Sequence, residues 1–288
     1  MPRFGAFFMI NLNGNIVENN QVLTPSNRAF AYGDGVFETL KIVSGKILFW
    51  EDHYLRLMAS MRIMRMEIPQ SFTMDYLEKQ ILDTAQAHLP ESKSTKARIT
   101  VFRNEGGLYT PVDNSVSFVI TAAPLDTPFY LFSTEKYEIE LFKDYQINSG
   151  LLSTIKTTSK AIHTLAGIFA QENDFDNCIL LNENKMVVEA INGNIFLVFG
   201  NTIKTPPISD GCLRGVMRKQ LLNLAKQLPD YMFEETTISP FDLQKADEVF
   251  ITNVITGIQP VTLYRKKQYQ TTAAKNLLTK LNVKIRLG

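Results

Sequence analysis

Two prolines bracket the segment PLDTP at Pro124–Pro128, near the middle of a 288-residue chain. Proline locks φ, lacks an N–H and pushes the residue before it away from the helical region. Neither a helix nor a central strand runs through such a segment, so it reads as a stiff connector. We expect a domain over residues 1–123, a linker at 124–128 and a second, larger domain over 129–288.

Hydrophobic periodicity divides each part into mixed elements. AFFMINLNGNIV reads as two strands around an Asn13-Gly14 turn, and VFETLKIVSGKILFW repeats that pattern around Ser44-Gly45. Glu51–Met66 is helical, with Tyr54, Leu55, Met58, Met61 and Ile63 on its apolar face and Pro69 beyond its end. TMDYLEKQILDTAQAHL is a second amphipathic helix, and KARITVFR and SVSFVITAAP are strands. Past the connector, strands are predicted at Phe129–Ser133, Cys178–Asn182, Asn194–Phe199, Glu248–Thr252 and Ile258–Tyr264. Helices are predicted at Thr158–Glu172, Arg214–Gln227 and Thr271–Leu281. No repeat is apparent, and the order is α+β rather than a regular βαβ alternation.

Composition excludes several classes of function. A net charge of +1 gives no general attraction to nucleic acid or to an acidic membrane. YRKKQ at Tyr264–Gln268 reads as a hairpin tip. No stretch approaches the roughly 18 apolar residues of a spanning helix, and the start of the chain lacks a signal-peptide pattern. Cys178 and Cys212 are far apart, which argues against a disulfide framework and for a reducing cytoplasm. His53, His88 and His163 are the only histidines, and none has metal-ligand spacing. Nucleophile-elbow and phosphate-loop motifs are missing, and the Gly-x-Gly of YGDGVF reads as a tight turn.

With so little histidine, covalent chemistry falls to lysine, whose amine condenses with a carbonyl to form a Schiff base. STIKTTSKAIHTLAG holds two lysines, Lys156 at the end of a short β-like run and Lys160 one turn later, where the two could share a helix face. The pattern leaves open whether either acts or both are solvated.

NRAFAYGDGVFETLKIVSGKILFWEDHYLRL resembles the opening of the class IV pyridoxal-phosphate enzymes, a family of branched-chain aminotransferases, D-amino-acid aminotransferases and aminodeoxychorismate lyases. IKTTSKAIHTLA, MVVEAINGNIFLV, GCLRGVMRKQLL and ADEVFITNVITGIQPV resemble its further blocks, in order. The resemblance implies an α+β, two-domain, fold-type IV enzyme of the D-amino-acid aminotransferase-like kind. It has a small α/β N-terminal domain, a larger C-terminal domain with a barrel-like sheet, and pyridoxal 5'-phosphate in the cleft between them. It also implies a homodimer whose active sites are completed by the partner subunit.

By the same resemblance Lys156 is the Schiff-base lysine, Lys160 is structural, and Glu189 faces the pyridine nitrogen. Arg56 pairs with the phosphate, and Gly215, Val216, Met217, Asn253, Val254 and Ile255 form its two binding turns. Tyr32, Phe37, Arg103, Leu108 and Tyr109 line the substrate pocket. Hydroxyls that many relatives carry at the Met217 position and near Val254 are missing. Leu108 stands where lyases often have arginine, and Ala161 where branched-chain enzymes have tyrosine. Apolar pocket candidates, Phe30 among them, favour an aminotransferase for amino acids with hydrophobic side chains, with the lyase as the alternative and a non-catalytic homologue as a third.

Overall fold

Tight turns that need a positive φ set the first strands. Asn13 (φ 51°) and Gly14 (φ 90°) join β1 (Met9–Leu12) to β2 (Asn15–Glu18). After α1 (Arg28–Tyr32), Ser44 (φ 49°) and Gly45 (φ 77°) join β3 (Gly35–Val43) to β4 (Lys46–Ile47). Such two-residue turns match the twist of antiparallel strands. Two helices follow, α2 (Trp50–Ile63) and α3 (Met74–His88), the second capped by the Thr73 hydroxyl accepting from the Tyr76 N–H. β5 (Ser94–Arg103) and β6 (Val116–Pro124) complete a six-stranded sheet of order β2-β1-β6-β5-β3-β4. One face of it packs on α2 and α3 through Leu40, Ile99 and Ile120 against Leu57, Met61, Leu77 and Ile81, all fully buried.

These elements come from a computed structural model that describes residues 9–18, 24–225 and 228–287. The chain divides into two units, Met1–Pro128 with Lys156–Ser159, and Phe129–Ile155 with Lys160–Gly288. The short insertion in the first unit contains Lys156.

The second unit holds β7 (Glu138–Ile147), α4 (Ala161–Glu172), β8 (Asn177–Asn182), β9 (Val187–Ala190), β10 (Asn194–Phe199) and β11 (Thr202–Thr205). After these come α5 (Val216–Ala225), β12 (Met232–Glu235), α6 (Asp242–Lys245), β13 (Glu248–Asn253) and β14 (Gly257–Val261). β15 (Leu263–Tyr264), β16 (Lys267–Gln268) and α7 (Thr272–Leu287) end the unit. The strands form two five-stranded sheets, β12-β11-β10-β13-β14 and β16-β15-β7-β8-β9. They adjoin where Ala190 on β9 bridges Gly193, just before β10, and again where β14 runs into β15, which curls them around a common core. Leu141, Ile179, Ile195, Leu197, Val249 and Val261 fill it.

Several expectations need correction. Phe129–Ser133 is not a strand: Tyr130 instead hydrogen-bonds through its backbone to Asn282 and through its hydroxyl to the Val254 carbonyl. The helix expected from Thr158 starts at Ala161, because Lys156–Thr158 is extended and bonded to β3; Lys156 and Lys160 therefore share no helix face. Leu55 is exposed while Leu57 is buried, since His53 and Ser60 occupy part of the inward stripe of α2. β7, β9, β11 and β12 have no counterpart among the predicted strands. Ala6–Phe8, Lys226 and Gln227, included in predicted elements, lie outside the described residues.

The core of the second unit contains a parallel ring pair, Phe196 and Phe250, both fully buried with centroids 5.1 Å apart. Phe250→Ala removes one ring and leaves a cavity. Urea unfolding should show a loss of about 3–5 kcal/mol with an unchanged slope.

Candidate functional site

In the first unit, residues Lys156–Ser159 lie beside the start of β3. The Phe37 N–H donates to the Lys156 carbonyl (2.8 Å), the Thr158 N–H donates to the Gly35 carbonyl (2.9 Å), and Val36 bridges Thr157. The glycines of YGDGVF make this approach possible. A Cβ on Gly33 would stand 3.0 Å from the Ser159 Cβ, and one on Gly35 would stand 3.2 Å from the Thr158 side chain. Gly33 also ends α1 with φ 65°. The motif is thus a seat for the lysine segment. Lys156 Nζ lies 4.6 Å from the centroid of the Phe37 ring, and the guanidinium of Arg98 lies 3.7 Å from the same centroid.

Arg56 and His53 are one turn apart on α2 and meet Glu38, a buried acid in the middle of β3. Arg56 donates through Nε (2.7 Å) and Nη2 (2.6 Å) to the two carboxylate oxygens, and His53 Nδ1 lies 2.7 Å from Oε2. Burial by itself raises the Glu38 pKa, but the charge and hydrogen bonds of Arg56 and the hydrogen bond of His53 outweigh it and hold it at about 2. Burial lowers that of His53. Glu38 is therefore the anion and His53 the neutral tautomer that donates from Nδ1, which leaves its buried Nε2 without a donor to accept from among the described residues.

Arg103 is also turned inward. It donates to Asp34 Oδ2 (3.0 Å), the Met64 and Arg65 carbonyls and the Asn114 side chain. Arg28 donates to the same Asp34 oxygen and to the Gly106, Leu108 and Tyr109 carbonyls. Its charge also lies over the Tyr32 ring, which is 5.7 Å from Tyr109. Phe30, Leu108 and Tyr109 stand at 77%, 75% and 89% exposure.

In the second unit Glu189 sits on β9 beside a bulge at Val188, where Leu180 pairs with Glu189 but Leu181 pairs with Val187. Such a bulge re-aims the adjacent side chain. The buried Glu189 carboxylate accepts from the Leu213 N–H (2.8 Å) and lies 3.0 Å from His163 Nε2. Leu213 belongs to the loop that opens α5. Asn194 holds that loop by donating to the Leu213 carbonyl, and a Cβ on Gly215 would stand 1.9 Å from Asn194 Oδ1.

Two helix starts near β13 differ. The first N–H groups of α7, at Ala273 and Ala274, donate to the Glu248 carboxylate. Those of α5, at Val216, Met217 and Arg218, donate to no acceptor among the described residues, while the Val216, Met217 and Arg218 side chains are buried. The β13–β14 turn starts at Asn253, whose side chain accepts from the Ile255 and Thr256 N–H groups. The adjacent Thr252 hydroxyl is buried without a partner among the described residues. Val254 is buried, and its carbonyl accepts from Tyr130 (2.6 Å).

The expected residues fall into two groups. Lys156, Arg56, Tyr32, Phe37, Arg103, Leu108 and Tyr109 belong to the first unit, and Glu189, Gly215, Val216, Met217, Asn253, Val254 and Ile255 to the second. Burial pushes Cys178 and Cys212 up to about 12, so neither is a thiolate at neutral pH. No group of His, Cys, Asp or Glu among the described residues is placed to hold a metal ion, and no described helix is long and apolar enough to cross a membrane.

The amino-transferase class IV family profile matches residues 35–264, which span both units. The chain belongs to that family. It is 28% identical over 253 residues to a putative branched-chain-amino-acid aminotransferase of Methanocaldococcus jannaschii, covering 88% of this chain and 86% of that one. It is 25% identical over 238 residues to an aminodeoxychorismate lyase of Vibrio harveyi, covering 82% and 85%. Its fold matches the T.th. branched-chain amino acid aminotransferase in complex with N-(5'-phosphopyridoxyl)-L-glutamate, with a TM-score of 0.84 at 23% identity over 96% of this chain and 93% of that one. The class IV fold expected from the sequence is therefore the fold of this protein.

Class IV aminotransferases work with pyridoxal phosphate. The residues present fit such a group: uncapped N–H donors at the start of α5, a glycine that keeps its approach open, an unpartnered buried hydroxyl at Thr252, and a buried acid held by the same loop.

Glu38 gives the first unit a pH signature. Its carboxyl lies near 2 when folded against an ordinary 4.5, so it stabilises the fold above pH 4.5 and loses that contribution as pH falls towards 2. The gap in unfolding free energy between the wild type and Glu38→Gln should be about 3 kcal/mol near pH 7. Denaturant titrations should show it shrinking between about pH 4.5 and pH 2.

Proposed function

We propose that this enzyme is a pyridoxal-phosphate-dependent aminotransferase for an amino acid with a hydrophobic side chain, with Lys156 as its covalent lysine. The observation that carries this reading is the loop at Leu213–Val216. Its first N–H binds the Glu189 carboxylate, and three residues on it opens a helix with uncapped donors. An acid for a ring nitrogen and a seat for a phosphate are thus tied together by one short segment.

When bound, the cofactor supplies an aldehyde carbon that exchanges amines and a ring that accepts the electron pair left at the substrate Cα. Lys156 would hold that carbon and would serve as the general base for the Cα proton. Glu189 would be the acid for the ring nitrogen. The N–H groups of Val216 and Met217, the turn at Asn253–Ile255 and the guanidinium of Arg56 would supply the donors for the phosphate, with backbone donors replacing the hydroxyls missing at Met217 and Val254. Glu38 and His53 hold Arg56.

Tyr32, Phe37, Leu108 and Tyr109 give the substrate side an apolar lining. Arg103 donates to Asp34, Asn114 and two backbone carbonyls, so we assign it to holding its loop. The exposed Phe30, Tyr32, Leu108 and Tyr109 support a homodimer in which they are covered. The relative from Vibrio harveyi supports a second reading, elimination of pyruvate from aminodeoxychorismate on the same cofactor.

Incubation with L-leucine, D-alanine or aminodeoxychorismate separates the two readings. Conversion of the cofactor to its pyridoxamine form with release of a keto acid marks the aminotransferase, whereas pyruvate plus aminobenzoate marks the lyase. Lys156→Ala should lose the near-ultraviolet or visible absorbance of the bound cofactor and the borohydride-stable adduct on the chain. An unchanged spectrum would refute the lysine assignment.

A further inference from the structure

We propose that His163 is a positioning residue for Glu189, holding the acid's carboxylate ionised and aimed at a protonated aromatic ring nitrogen. The inference rests on the reading above, in which Glu189 faces such a nitrogen.

His163 lies in the first turn of α4, and its Nε2 is 3.0 Å from Glu189 Oε1. The Leu213 N–H occupies the other oxygen at 2.8 Å. An ionised carboxylate only accepts, so His163 donates, and its neutral tautomer carries the hydrogen on Nε2. The two donors come from independent elements. α4 is packed on β7 and β8 through Ala166, Ala170 and Phe169 against Phe142, Cys178 and Leu180, and the Leu213 loop is tied to Asn194. One donor alone leaves a glutamate free to turn about its terminal bond; a donor on each oxygen fixes the carboxylate plane.

The arrangement leaves acceptor capacity for a third N–H, because a carboxylate offers about four lone-pair positions and two are taken. A carboxylate already accepting from two donors presents its remaining lone pairs to a hydrogen on a ring nitrogen. His163 touches neither substrate nor reacting carbon in this scheme. Its contribution passes through Glu189 alone.

The test uses holoenzyme reconstituted with pyridoxal phosphate labelled with 15N in the ring, and compares the wild type with Glu189→Gln, His163→Leu and His163→Gln. The wild-type ring nitrogen should resonate as protonated. Glu189→Gln and His163→Leu should both move the signal towards the unprotonated position, and His163→Gln, whose amide still donates, should restore most of it. The kcat of His163→Leu should fall about 10- to 100-fold, with a smaller change in KM.

If Glu189→Gln moves the signal and His163→Leu does not, the positioning role is wrong and the assignment of Glu189 stands. If neither moves it, the assignment of Glu189 fails and takes this proposal with it. Should His163→Leu not fold, 15N-histidine labelling of the wild-type holoenzyme decides: an Nε2 of His163 without a bound hydrogen overturns the proposal.

Discussion

The first unit depends on a close backbone approach. Four residues from a distant stretch of chain, Lys156–Ser159, lie within hydrogen-bonding distance of β3 because Gly33 and Gly35 present no Cβ. The Val36–Thr157 bridge and the bonds at Phe37 and Thr158 then fix the lysine's backbone against a strand that is buried almost throughout. A lysine on a helix surface would sample many rotamers in water. This one rises from a pinned backbone beside an aromatic face, with its amine 4.6 Å from the ring centroid. The covalent role proposed for Lys156 would need that restriction, since effective concentration depends on how narrowly a nucleophile is held.

Both candidate acids are built by the same rule with different consequences. Glu38 and Glu189 are each nearly inaccessible, and each has a histidine and a further N–H donor on its carboxylate. Glu38 takes two bonds from a guanidinium, so its charge is neutralised locally and the pair serves to hold Arg56. Among the described residues Glu189 has a backbone amide and an imidazole on its carboxylate and no guanidinium. A buried carboxylate with no guanidinium paired to it leaves room for another cation, which is the property the proposed ring-nitrogen partner would require.

Local chemistry made some of this legible in the sequence. The Asn13-Gly14 and Ser44-Gly45 turns could be read because few residue pairs tolerate positive φ in succession. The lone Glu38 within GVFETLKIV was a signal too, as an acid inside a strand buried on both faces demands a cation. What escaped depended on distant partners. Thr158 and Ser159 continued the pattern of α4, yet the Thr158 N–H donates to the Gly35 carbonyl at the start of β3. β7 has outward-facing polar residues along half its length, and its central pairing is to the parallel strand β8. His163 meets Glu189 across 26 positions, a separation that no helix or strand periodicity encodes.

The loop between β5 and β6 shows how cations can shape a loop surface without facing outward. Arg28 and Arg103 converge on one Asp34 oxygen, and Arg28 also gathers the Gly106, Leu108 and Tyr109 carbonyls. In a trans peptide the N–H points opposite to its carbonyl. Carbonyls drawn inward at 106, 108 and 109 therefore turn the N–H groups of Gly107, Tyr109 and Thr110 the other way. Leu108 brings no charge to this loop, so any anion it meets would be recognised by backbone dipoles and the Tyr109 hydroxyl. Dipoles bind a carboxylate less strongly than a guanidinium does but leave the neighbouring surface apolar, as the hydrophobic substrate proposed above would require.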